Sequence, residues 1–193
     1  MPTAHPTEIL YRINARDELV SVGGAWTAFA LENDGGDLAG DRVVGCSLWG
    51  FIDDESTRRL YRQLLKIVRH GNPMTFPLRC DGPGQRRHLE MTLSPCPGDA
   101  GEVLFRSRLV SLEERAATPL LARHTLRSGE LIRCCAWCNR FVLGASEWVE
   151  LEEAIDRLQL FAKTKLPGIS HGICPNCFEV MKRRVDAMNV VAP

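Results

Sequence analysis

Two Cys-x-x-Cys pairs, Cys135 and Cys138 in "CCAWC" and Cys174 and Cys177 in "SHGICPNC", constrain this chain more than any other feature. Each pair can place two sulfurs on one side of a tight turn, about 2.3 Å from a common ion, and two such pairs complete a tetrahedron. If they form one site, the segment 139–173 must leave and return to its own starting point. Eight cysteines are present; Cys46, Cys80 and Cys96 are scattered, while Cys134, Cys135, Cys138, Cys174 and Cys177 crowd the last third. The start, "MPTAHPTEIL", has neither a basic nor an apolar leader region, so the expected location is the cytoplasm. Thiols stay reduced there, and paired cysteines are more often metal ligands or catalytic groups than disulfides.

The pairs admit three readings. Zinc held by Cys135, Cys138, Cys174 and Cys177 is the first, and with four thiolates no position is left open for water or substrate, so the ion is structural. A thiol redox pair is the second, against which the sequence offers no strand running into "CAWC" followed by a long helix. Four thiols packed as small apolar groups is the third. Cys134, beside Cys135, and His171, three residues before Cys174, are alternative ligands. The segment between the knuckles carries an expected amphipathic helix, "SEWVELEEAIDRLQLF", with Trp148, Leu151, Ile155 and Leu158 on one face, then a loop "KTKLPGIS". "FEVMKRRVDAM" reads as a last helix.

The first half is patterned differently. "ILYRINA" and "ELVSVG" read as a strand hairpin, "AWTAFALEND" as a short helix and "DGGDLAGD" as loop. In "DDESTRRLYRQLLKIVRHGNP" the apolar Leu60, Leu64, Ile67 and Val68 share a helical face, Asp53 or Asp54 caps the start, and Gly71 with Pro73 ends it. Arg58, Arg59, Arg62, Lys66 and Arg69 mostly occupy the solvated side. "MTFPLRC", "RRHLEMTLSPC" and "EVLFRSRLVSLE" follow as strands, with Leu89, Met91 and Leu93 alternating against His88, Glu90 and Thr92. His70 and His88 are the two histidines available as haem ligands, with a helix end and a polar strand face as their simpler settings; Trp26, Trp49 and Phe51 read as core.

That element order, with "YRINARDELVSVGGAW", "GCSLWGFI" and "FPLRCDGPGQRRHLEMTLSP", resembles the PAS sensor domain family over Ile9 to Glu114. The resemblance implies an α+β fold: a five-stranded antiparallel sheet with flanking helices over one face, sometimes enclosing a small molecule of unknown identity. The last third, from "CAWCNRF" to "SHGICPNC", resembles a small four-cysteine module that follows PAS or receiver domains in bacterial signalling proteins. The expected organisation is an N-terminal tail at 1–8, a PAS-like domain at 9–114, a linker at 115–132 in which Pro119 either separates two short helices or leaves a bent connector, and a small helical zinc module at 133–193.

Lys and Arg total 24 and Asp and Glu total 24, so no net field draws the chain to nucleic acid or an anionic membrane. No nucleophile triad, phosphate loop or paired-carboxylate site stands out, and no kinase histidine box or receiver acidic pocket is recognisable. The expectation is a non-enzymatic sensory or adaptor protein that contacts a signalling partner, with a homodimer as one of its forms. The alternatives are a zinc-dependent nucleic-acid-binding regulator, for which "MKRR" is the basic feature, and a thiol-based redox sensor.

Overall fold

The computed structural model describes residues 8–99 and 101–189. The hairpin β1 (Glu8–Ile13) and β2 (Leu19–Gly24) turns through Asp17, whose φ of 62° is tolerated by a short polar side chain. Helix α1 (Trp26–Glu32) and three single-turn 3-10 segments lead to α2 (Glu55–Arg69). Asp54 caps α2, its Oδ2 accepting from the Thr57 N–H at 2.8 Å, and Leu60, Leu64, Ile67 and Val68 form its buried face as the spacing requires. Strands β3 (Met74–Arg79), β4 (Gln85–Pro95) and β5 (Val103–Glu114) form an antiparallel meander, and β5 also pairs with β1. The sheet order is β2-β1-β5-β4-β3, all antiparallel.

One face of this sheet is apolar because the strands alternate. Met74, Phe76, Leu89, Met91, Leu93, Val103 and Phe105 are buried, and Tyr11 stacks on Phe105 with ring centroids 4.4 Å apart. The opposite face carries ion pairs such as Arg108–Glu90 at 2.9 Å.

After Glu114 the expectations need correction. Pro119 opens a single 3-10 turn (Pro119–Leu121), not a pair of helices, and the chain then enters strand β6 (Arg127–Cys135). Two short strands, β7 (Phe141–Leu143) and β8 (Glu147–Val149), follow. The expected long helix is therefore cut back to α3 (Leu151–Arg157): Trp148 lies on β8, and Leu158 follows the helix end at the surface. The expected loop "KTKLPGIS" runs into strand β9 (Leu166–Gly172), and α4 (Pro175–Asn189) closes the described chain. The second sheet has order β8-β7-β6-β9, and its β6–β9 pair is parallel. The cysteine module is thus a mixed sheet with two helices, not a helical module.

Leu120, Phe141, Leu143, Leu151, Ile155 and Leu160 give this second sheet an apolar cluster of its own. Yet the larger cluster, centred on the first sheet and α2, also takes in Cys135, Trp137, Ile173, Cys174, Met181 and Val185. Apolar packing is continuous across the boundary that composition places at 115–132.

Candidate metal centre and the cavities beside it

Convergence of the four cysteines follows from topology. Strands β6 and β9 are parallel neighbours, so they end on the same side, Cys135 opposite Gly172. Neighbouring strands lie about 4.8 Å apart, and each runs directly into a knuckle. On the first, Asn139 adopts a left-handed conformation at φ 58°, its N–H donating to the Cys135 carbonyl at 2.9 Å, and the chain doubles back into β7. On the second, Pro175 supplies the first residue of α4, where a missing N–H costs nothing, and the Phe178 N–H donates to the Cys174 carbonyl at 2.9 Å. The Ala136 N–H donates to the Gly172 carbonyl at 2.8 Å, tying one knuckle to the other.

The Sγ atoms of Cys135, Cys138, Cys174 and Cys177 all lie within 4.8 Å of one another, with Cys138 and Cys174 at 3.8 Å. A tetrahedron with metal–sulfur bonds of about 2.3 Å has edges of about 3.8 Å, so a zinc-sized ion fits this cluster. Backbone N–H groups already point at the sulfurs: Cys174 donates to Cys135 Sγ at 3.3 Å and Cys177 to Cys174 Sγ at 3.4 Å. Without a cation the thiols compete for one negative charge. Hydrogen bonds from Cys138 and Cys177 hold the Cys135 thiol far below its ordinary value, while donation to Cys135 pushes Cys138 up to about 12 and Cys177 higher still. Four thiolates side by side require a cation between them.

Neither alternative ligand joins the cluster. Cys134 points to the other face of β6, into the second core, where its Sγ meets Asn139 Oδ1 at 3.2 Å and burial raises its pKa. His171 lies outside the four-sulfur group and lines a cavity; burial lowers its pKa, opposed by the Asp53 charge. The strand that the sequence did not reveal before "CAWC" is β6, but it is followed by the β7–β8 hairpin rather than a long helix.

Trp137 is the functional residue that pattern reading missed. It sits inside the first knuckle, is 5% exposed, and inserts between Tyr61 of α2 and Phe76 of β3, with centroids 5.5 and 6.1 Å away. Its carbonyl accepts from the Arg79 N–H at 2.8 Å, which joins the knuckle to the free edge of β3. Its indole N–H is buried without a partner among the described residues. An aromatic residue between two paired cysteines was the available signal. Ion pairs add to this seam. Asp81, its side chain 1% exposed, is held by Arg79 at 2.8 Å and Arg115 at 3.2 Å, while Arg79 also reaches Glu150 at 2.6 Å. Arg133 of β6 crosses Gly172 to pair with Asp54 at the α2 cap.

Two cavities flank the seam. One, of ≈ 370 Å³, lies between the first sheet and the cysteine module, lined by Tyr11, Tyr61, Leu48 and Thr57 on one side and Ala136, Ile169, Ser170 and His171 on the other. Burial pushes Tyr61 up to about 12 and Tyr11 well above its ordinary value, so both phenols stay protonated donors. The other, of ≈ 360 Å³, opens beside Cys138 and Cys177 and takes in His88, Arg140 and Val180. His70 is exposed at the end of α2, its Nδ1 2.7 Å from the Lys66 carbonyl. Trp26 and Trp49 pack at the core margin, whereas Phe51, read as core, is 49% exposed. Among the described residues no helix is long and apolar enough to cross a membrane.

No protein-family model matches the chain, and no curated protein matches it. Among solved structures it is similar to a domain of an HTR-like protein from Haloarcula marismortui, at 15% identity and a TM-score of 0.36, over 54% of this chain and 99% of that one.

Proposed function

We propose that the chain is a cytoplasmic bacterial sensory or adaptor protein in which a PAS-like unit, residues 9–114, is coupled to a structural zinc module, residues 133–193. The observation that carries the reading is Trp137: one residue of a four-cysteine knuckle lies inside the core of the neighbouring unit. A change at either side is then felt at the other without any chemical step. The cavity lined by Tyr11 and Tyr61 is where a small-molecule signal would act, since both units wall it. Zinc, held by Cys135, Cys138, Cys174 and Cys177, supplies cross-linking and no Lewis-acid chemistry, as all four positions are thiolate. Output runs through contact with a protein partner.

Metal analysis of protein purified without added zinc tests the centre. About one zinc per chain is expected, and Cys177→Ser should lose it; full occupancy in that variant would remove Cys177 from the site. Recovery of a protein partner from native extract supports the adaptor reading. Tight binding to duplex DNA that weakens steeply with salt would replace it with a nucleic-acid regulator, because counterion release marks phosphate contact.

A further inference from the structure

The four cysteines are not equivalent. Cys135 and Cys174 are buried, at 0% and 3% exposure, on the side of the cluster that faces the core. Cys138 and Cys177 are half-buried, and both line the same ≈ 360 Å³ cavity, whose remaining wall includes Arg140, His88 and Val180. A small solute entering this cavity meets one sulfur from each knuckle. Arg79, Arg140 and Glu150 also line it, two cations to one carboxylate, with Arg140 held by Glu150 at 3.1 Å. Val180 stands at the cavity and is 45% exposed.

We propose that Cys138 and Cys177 form a peroxide-sensitive pair, oxidised to a disulfide by a hydroperoxide that enters this cavity, with release of the zinc. The inference rests on the zinc reading above and gives that centre a regulation. In the first step the Cys138 thiolate attacks the distal peroxide oxygen. The S–O bond forms, the O–O bond breaks, and the departing alkoxide takes a proton from solvent. Next, the Cys177 thiolate attacks the sulfenic sulfur; the S–S bond forms and hydroxide leaves, taking up a second proton as water. Two thiolates lose two electrons in total, and one hydroperoxide is reduced to one alcohol and one water. Cys135 and Cys174 remain as two ligands, too few for a closed tetrahedral site, and the ion departs. Because the four Sγ atoms already lie within 4.8 Å, bond formation requires only local movement of the knuckles.

The test uses the full-length, zinc-loaded protein, its metal content measured first. Hydrogen peroxide is added at increasing ratios, zinc release is followed with a chromogenic chelator, and disulfides are mapped by mass spectrometry under denaturing alkylation. The expected result is release of zinc in step with a Cys138–Cys177 disulfide. Val180→Phe, which narrows the cavity from a surface position on α4, should slow release severalfold with unchanged zinc content. A first disulfide that includes Cys135 or Cys174, or zinc retained while the exposed Cys46 oxidises, overturns the proposal. Release at the wild-type rate in Val180→Phe overturns the cavity as the route. Protein that binds no zinc at the outset counts against the metal centre itself, a separate failure.

Discussion

At the scale of single residues, Trp137 and Asp81 carry the seam between the two units. Truncating the indole removes the contacts with Tyr61 and Phe76 and opens a void in the larger core, so Trp137→Ala should cost about 3–5 kcal/mol in chemical denaturation. Trp137→Phe keeps most of the ring and discards an N–H that has no partner, so its cost should be well under half of that. Equal losses for the two variants would show that the site requires the indole itself and that a retained phenyl ring recovers nothing. Asp81 gives the acid response. Burial alone would raise its carboxyl, but hydrogen bonds and charge from Arg79 and then the Arg115 charge hold it below its ordinary 3.8. A depressed folded value means the contribution is complete above 3.8 and disappears as pH falls through the depressed value. Thermal stability should therefore drop steeply in that acid range, and Asp81→Asn, already weaker at neutral pH, should show a flatter acid limb. An unchanged acid limb in the variant would assign the transition to other groups.

Elements explain why some of this was legible and some was not. The first sheet could be read because each of its signals was local: alternation of Leu89, Met91 and Leu93 on β4, an Asp54 cap and a one-sided stripe on α2. The convergence of the four cysteines could be read because two matched Cys-x-x-Cys spacings are the pattern that a four-sulfur cluster needs. Strands β6 and β9 could not. "RSGELIRCC" and "LPGISHG" lack clean alternation, and a parallel pair is stabilised by a neighbour distant in sequence, so no local pattern announces it. Trp148 and Leu158 match helical spacing around α3, and periodicity alone extended that helix into β8. The β6–β9 pair makes a specific demand at Gly172, where a Cβ would run into the Arg133 guanidinium on its way to Asp54. The obstructing atoms are the far end of a flexible, half-exposed side chain, so Gly172→Ala should cost no more than the Arg133–Asp54 pair it displaces, about 0.2–1 kcal/mol, and less still in an Arg133→Ala background. Additive costs in this double-mutant cycle would mean that the glycine serves some other purpose.

For the whole molecule, the continuous core sets the unit of cooperativity. Residues of the first sheet, α2, the knuckles and α4 share one apolar cluster. Zinc removal should therefore lower the melting temperature of the entire chain in one transition, as read by far-ultraviolet circular dichroism and by tryptophan fluorescence together. Two separated transitions, with the first sheet unaffected by the chelator, would show that the boundary at 115–132 divides stability as well as sequence. The parallel strands that bring the knuckles together also bear on how fast the chain reaches this state. Pairing Cys135 with Gly172 requires closing a long loop before any ladder bond rewards it, which makes such pairings slow steps in folding. A cation needs only the cysteines, and these stand at the very ends of the two strands. An ion held as proposed would grip them while the chain is still open, and β6 and β9 would then zip from their knuckled ends.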